Sequence, residues 1–377
     1  MPGFELIGKE EHEELNDLMT NSGILFRHGF DALRNNVYKV KEFENNFAEY
    51  MRVKNALAVT SGTSALHVAL KAFGIGAGDE VITQAFTFVA TVEAIVESGA
   101  KPVICDIDET LNLNPRYLDK YVNSNTKAII VVHMLGTPCD MNGVLAFAKK
   151  HNLKVIEDTA WGCGGKIEEQ YLGTLADAGT YSFDFAKTIT TGEGGMVVIK
   201  DDLAFERAKA YHDHGHENNP SLPRWEDSRS SSGFNYRMSE LQGAIGIAQL
   251  KKLKFIVDSQ RSNANKIKNI LIQKKYKIRD VPSNSFETCD AVVFFAKNKQ
   301  EAILIRNKLL KCNISTKILP EAMSWHFAES WTHIDELKID NKMPNLEISR
   351  NILGRAVALP VFVNMKDDYF ISLKSVL

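Results

Sequence analysis

The chain has 377 residues, 44% hydrophobic and 24% charged, the make-up of an ordinary globular protein with room for one large domain and a smaller appendage. Its formal net charge is −2 and no block of lysine and arginine occurs, which argues against a nucleic-acid partner. No uninterrupted apolar stretch approaches the ~18 residues of a membrane span, and the acidic start MPGFELIGKEEHEEL lacks the form of a signal peptide.

Cys105, Cys139, Cys163, Cys289 and Cys312 are odd in number and form no CxxC pair. The reading is reduced thiols in a cytoplasm, with neither a disulfide framework nor a structural zinc site. A leading helical segment includes KVKEFENNFAEYM (39–51), with apolar residues at helical spacing. From residue 54 to about 200, strand-like runs alternate with helical ones. ALAVTSG (56–62) predicts a strand and TSALHVALKAFG (63–74) the helix after it. EVITQ (80–84) leads into the helical TFVATVEAIVESG (87–99), and KPVICDID (101–108) follows. KAIIVVH (127–133), the helical GVLAFAKKHN (143–152) and LKVIEDT (153–159) continue the alternation. These strands are near-continuous apolar runs, as when helices cover both sheet faces. They predict an α/β domain with a mostly parallel sheet flanked by helices and right-handed crossovers. After about 250, the polar helix LKKLKFIVDSQRSNANKIKNILIQKK (250–275) leads to a smaller α+β region. That region holds the strand AVVFFAKN (291–298) and the helix QEAILIRNKLLKCN (300–313). The division expected is 1–250 for the large domain with its leading segment, and 251–377 for the small one.

In parallel sheets ligands gather at the carboxyl ends of strands. LKVIEDT ends on Asp158, either a carboxylate facing a ligand or a turn residue. In AVTSGTSAL (58–66) a strand passes through Ser61, Gly62, Thr63 and Ser64 directly into a helix. Small residues at a helix N-terminus suit a bound phosphate, and equally an ordinary N-cap. No GxxxxGK[ST] occurs, and the glycines of GIGAGDE (74–80) follow a helix, so they read as a plain turn. Lys187 sits in YSFDFAKTITTGEGG (181–195), between an aromatic-rich strand and a glycine-rich turn. An ε-amine among apolar neighbours loses preference for its charged form and becomes a better nucleophile. If Lys187, Asp158 and the 61–64 turn share one crevice, they offer what pyridoxal phosphate requires: a Schiff-base lysine, a carboxylate for the pyridine nitrogen and a phosphate cradle.

SGTSAL, GDEVITQAFTFVAT, VIEDTAWGCGG, LGTLADAGTYSFDFAKTITTGEGGMVV and GFNYRMSELQGAIGIAQL occur in this order. Through them the chain resembles, over nearly its whole length, the DegT/DnrJ/EryC1/StrS sugar aminotransferases of fold type I. The resemblance implies that Lys187 carries the cofactor and then serves as general base, while Asp158 meets its ring nitrogen. Thr63, Ser64 and Ser182 fall on the phosphate site, and Phe88 on the aromatic that stacks on the ring. Asn235 matches a residue that reaches the phosphate of the other subunit, which implies a homodimer with shared active sites. Trp161 departs from the family, which usually has Gln or His there; its indole donates one hydrogen bond and accepts none, so it either touches the cofactor or packs the site. Glutamate is the usual donor, and a keto or aldehydo sugar the acceptor. Two rivals are a sugar dehydratase of the same fold, whose lysine position is histidine, and a non-enzymatic regulator; the presence of Lys187 and Asp158 disfavours both.

SGILFRHGFDALRNNVYKVKEFE (22–44), YHDHGHENN (211–219) and SWHFAESWTHIDELK (324–338) resemble the subgroup of 8-amino-3,8-dideoxy-manno-octulosonate transaminases. That subgroup aminates C8 of an oxidised 3-deoxy-octulosonate destined for lipopolysaccharide; the alternative is a nucleotide-linked keto-deoxysugar. Arg27 and Arg34 are read either as surface charges or as ligands of the substrate carboxylate, which arginine binds bidentately. His212, His214 and His216 alternate, so on a strand they would share one face. They are read as substrate-facing loop residues, with a structural role second and metal ligation last.

Overall fold

The apolar runs become the seven strands of one sheet in the computed structural model, which describes residues 2–219 and 221–377. They are β1 (Leu57–Val59), β2 (Glu80–Gln84), β3 (Lys101–Cys105), β4 (Thr126–Val132), β5 (Lys154–Asp158), β6 (Ala178–Ser182) and β7 (Gly195–Ile199). Their order across the sheet is β1-β7-β6-β5-β4-β2-β3. β3, β2, β4, β5 and β6 are joined in parallel, and β7 runs antiparallel to both β6 and β1. Helices lie on both faces, which is why β6 and β7 are buried at every residue.

β5 and β6 end side by side, with Asp158 in register with Thr180 and Ser182 two residues further on. Beside Asp158, the buried Glu157 points away to fasten the next turn. It accepts hydrogen bonds from the backbone N–H groups of Gly173 (2.8 Å), Leu175 (2.8 Å) and Ala176 (2.7 Å), and pairs with His133 Nε2 at 3.0 Å. That turn presses so closely on β6 that a Cβ at Gly179 would lie 1.9 Å from the Gly173 carbonyl oxygen. Gly179→Ala is therefore expected to lower the urea midpoint by the equivalent of ~1–3 kcal/mol or more, the usual cost of overpacking. An unchanged midpoint would show that the turn yields freely.

The helix Glu240–Gln273 runs unbroken for 34 residues through position 250. The boundary expected at 250 thus falls inside one continuous helix. Beyond it, β8 (Lys277–Ile278), β9 (Ala291–Phe295) and β10 (Ala356–Pro360) form an antiparallel sheet, which packs with the helices Lys299–Lys311 and Asp367–Val376. The stretch between them folds back onto residues 85–87. Thr87 N–H donates to the His326 carbonyl (3.0 Å) and Ala328 N–H to the Ala85 carbonyl (2.9 Å), with Phe86 and Phe327 bridged between them. Among the described residues, no helix is long and apolar enough to cross a membrane.

Candidate active site

A cavity of about 360 Å³ opens at the carboxyl ends of β5 and β6. It is lined by Ser61, Gly62 and Thr63, by Thr87, Phe88 and Thr91, by Asp158, Trp161, Ser182 and Lys187, and by His326.

Asp158 closes β5 and is 5% exposed. Its Oδ2 accepts from the Thr91 hydroxyl at 2.8 Å and its Oδ1 from the Ala160 N–H at 3.2 Å. Burial pushes its carboxyl above the usual range, while those two bonds and the nearby Lys187 charge pull the other way.

Lys187 lies in the turn between β6 and β7. The turn is held by the Lys187 N–H to the Asp184 carbonyl (3.0 Å) and by the Gly3 N–H to the Lys187 carbonyl (3.1 Å). Its ε-amine stands 3.4 Å from the centre of the Trp161 ring. The residue is half-buried, but the surface it keeps faces the cavity. Burial, opposed by Asp290, Asp184 and Asp158 and assisted by Lys317, lowers its pKa to about 8. The free amine therefore exists at a pH where an ordinary lysine is charged. In the cofactor-free protein, the rate of pyridoxal phosphate capture should rise as pH passes through about 8 and level off above it. Following the cofactor absorbance across pH tests this; a midpoint at the ordinary lysine value would mean the amine is not screened.

The 61–64 turn caps the helix Gly62–Ala72. Ser61 Oγ accepts from the Ser64 N–H (3.1 Å), while the Ser64 hydroxyl donates to the Ser61 carbonyl (2.8 Å) and accepts from its N–H (2.9 Å). Ser64 is thus absorbed in the cap, and the cavity side belongs to Ser61, Gly62 and Thr63. A Cβ at Gly62 would lie 2.8 Å from that of Ser182, so only glycine lets the helix start this close to β6. The helix N-terminus, the buried carboxylate and the free amine around one cavity suit the phosphate, ring nitrogen and aldehyde of pyridoxal phosphate.

Phe88, 44% exposed, forms the cavity wall with its ring 5.5 Å from that of His326. Trp161 is 8% exposed, with Lys187 above its ring and Lys317 Nζ 4.8 Å from the same centre. His326, Thr87 and Thr91 were not singled out as site residues in the sequence. Burial lowers the His326 imidazole to about 4, so it is neutral near pH 7. The two threonines stand four apart in the stretch 87–99 expected to be helical, and that spacing was the available signal; in the structure Thr87 precedes the helix Ala90–Glu97, which contains Thr91. His326 reaches the cavity only through tertiary pairing with 85–87, and no local spacing announces it.

Other expected residues lie outside the cavity of their own chain. Arg27 is paired with Glu44 (2.7 Å) and donates to the Ala58 carbonyl (3.1 Å), which leaves its guanidinium committed. Arg34 is fully buried, donates to the carbonyls of Phe26 (2.5 Å) and Arg27 (3.2 Å), and faces Glu240. Both brace the 22–44 segment. The histidines are not on a strand: His212 closes the helix Asp202–Tyr211, His214 has φ 54°, and His216 is buried between Asp227 and Arg229. Only His214 of the three is exposed. Asn235 is exposed and lies away from the cavity of its own chain, next to Phe234, which is 52% exposed.

The profile described as DegT/DnrJ/EryC1/StrS aminotransferase family matches residues 27–373. The GDP-perosamine synthase of Escherichia coli O157:H7 is 37% identical, over 97% of this chain and 94% of its own. Spore coat polysaccharide biosynthesis protein SpsC of Bacillus subtilis is 32% identical, over 96% and 92%. Among solved structures, an aminotransferase from Psychrobacter cryohalolentis superposes with a TM-score of 0.86 at 28% identity, covering 98% of this chain and 96% of that one. Helicobacter pylori PseC, an aminotransferase involved in the biosynthesis of pseudoaminic acid, gives 0.85 at 25%, covering 98% and 95%.

Proposed function

Because this chain belongs to the DegT/DnrJ/EryC1/StrS family of pyridoxal-phosphate-dependent sugar aminotransferases, we propose that it moves an amino group from glutamate to an oxidised sugar acid. The acceptor proposed is C8 of 8-oxo-3-deoxy-manno-octulosonate, in lipopolysaccharide biosynthesis.

The observation that carries the transfer chemistry is the buried Asp158 and the deprotonation-prone Lys187 on one cavity. Bound there, pyridoxal phosphate supplies the electron sink for the substrate carbon. The chain does the rest. Lys187 Nζ would hold the cofactor and, when free, would serve as the general base that takes the proton from the substrate carbon. Asp158 would meet the ring nitrogen and favour its protonated form. The open N–H groups at the start of the Gly62–Ala72 helix, with the hydroxyls of Thr63 and Ser182, hold the phosphate. Phe88 would give a flat face to the ring, with Trp161 and His326 lining the same cavity.

The sugar-acid reading is supported by the 22–44, 211–219 and 324–338 segments, of which the last places His326 on the cavity. A nucleotide-linked keto sugar is the second reading, favoured by the likeness to GDP-perosamine synthase. The test is to supply glutamate with the octulosonate aldehyde or with GDP- and UDP-linked 4-keto sugars and follow the aminated product by mass. Preference for a nucleotide sugar would return the protein to the second reading.

The working unit proposed is a homodimer in which Asn235 completes the partner's phosphate site. Its support is the exposure of Asn235 beside Phe234 and outside its own cavity. Sedimentation at assay concentration should show a dimer. A fully active monomer would refute the shared site.

A further inference from the structure

We infer that the Thr87–Thr91 hydroxyl pair is a positioning device that holds Asp158 as the carboxylate and so keeps the shared proton on the cofactor ring nitrogen. The inference rests on the pairing of Asp158 with that nitrogen proposed above.

The direction of the hydrogen bonds follows from counting protons. An ionised carboxylate can only accept, so in the 2.8 Å contact with Asp158 Oδ2 the Thr91 hydroxyl donates. That hydroxyl has one proton, so its 2.8 Å contact with Thr87 Oγ1 must be accepted from Thr87. A protonated Asp158 would have its own O–H to donate, and the chain could run backwards. Run backwards, however, it leaves the Thr87 hydroxyl proton without an acceptor, because the side-chain partners of both threonines lie within the chain itself, so the pair favours the charged form of Asp158.

Both are 1% exposed, and each hydroxyl's protein partners lie within this chain of three residues. Packing alone would be served by valine, and a buried hydroxyl without a partner is a cost. The other donor to Asp158, the Ala160 N–H, is longer at 3.2 Å, so Thr91 makes the shorter of the two bonds. Thr87 is itself fixed, since its N–H is held by the His326 carbonyl at 3.0 Å. The segment that carries His326 is thereby tied through the two threonines to Asp158.

The pair decides where one proton sits. With Asp158 against the ring nitrogen, either the nitrogen carries the proton and Asp158 is charged, or Asp158 carries it and both are neutral. Removing the Thr91 hydroxyl makes the carboxylate more basic and shifts that equilibrium towards the neutral arrangement. A hydrogen bond to a charged group corresponds to about a ten- to hundred-fold shift.

The experiment is nitrogen NMR of the holoenzyme loaded with pyridoxal phosphate labelled at the ring nitrogen, in wild type, Thr91→Val and Thr91→Ser. Wild type and Thr91→Ser should show the protonated ring, and Thr91→Val a signal displaced towards the neutral one. Thr91→Val with the wild-type signal overturns the inference. A neutral ring in the wild type overturns the pairing of Asp158 with the nitrogen, and this inference with it. If Thr91→Val does not load, carbon NMR of the aspartate carboxyls in the cofactor-free protein decides. There Asp158 should bind its proton ten- to hundred-fold more tightly than in wild type, and no change overturns the role. The double variant Thr87→Val/Thr91→Val, which strands no hydroxyl, should behave as Thr91→Val; a wild-type signal from it also overturns the role.

Discussion

Replacing Lys187 with alanine should give a folded protein with no measurable transamination and no covalently held cofactor band. The ε-amine rests on the Trp161 ring, and none of the hydrogen bonds that shape the turn involves it. The turn is held instead by backbone bonds to Asp184 and Gly3, which alanine keeps. Burial already disfavours the charged amine, so its removal relieves a cost instead of breaking a pair. Loss of the general base alone is worth about 10²–10⁴ in rate, and loss of the cofactor's attachment adds to it. Absorbance and turnover measured beside a melting curve make the test. Wild-type turnover with an unchanged band would end the assignment; a collapsed melting curve would mean that the lysine supports the fold.

Asp158→Asn should slow the half-reaction with glutamate by about 10²–10³, the scale of removing one preorganised electrostatic group. The amide is neutral and cannot favour a positively charged ring nitrogen. It also fits its surroundings poorly, because both oxygens of Asp158 now accept from donors. An Asn NH₂ must meet either Thr91 or Ala160 as donor to donor, and only the threonine can turn its hydroxyl round. The protein should remain folded, since a buried charge has been removed. Near-normal single-turnover rates in stopped flow would show that another group supplies the charge.

The strands were legible because burial on both faces makes them plain apolar runs, and EVITQ and KAIIVVH became β2 and β4 with little change in their bounds. Lys187 and Asp158 were legible because strand ends are short and chemistry-bearing residues stand out there. The reversal of β7 was not. Gly195–Ile199 is buried at every residue, and an antiparallel strand covered on both faces carries no alternation to separate it from a parallel one. Nor was the start of the helix Glu240–Gln273, expected at 250, because Gly243 and Gly246 interrupt the pattern of its first turns. Arg27 and Arg34 show a different limit. A guanidinium looks the same in a sequence whether it awaits a substrate carboxylate or already holds Glu44 or faces Glu240, and the fold alone distinguishes the two. The alternating histidines imitate a strand, but the left-handed backbone at His214 and Gly215 turns the chain and scatters them.

The folding back of the late segment onto 85–87 has a consequence for protein engineering. The residues proposed to hold the cofactor within one chain lie between Ser61 and Lys187, whereas the wall at His326 is set by the late segment through the two backbone hydrogen bonds of a single bridge. Backbone pairing of this kind is indifferent to side chains. A chimera that exchanges only the surroundings of residue 326 for a relative's segment should therefore keep its grip on pyridoxal phosphate while acquiring a new acceptor preference. A splice at 250 would instead cut through the Glu240–Gln273 helix and replace wall and helix together, so recombination libraries should place their crossovers in the turns that flank the late segment.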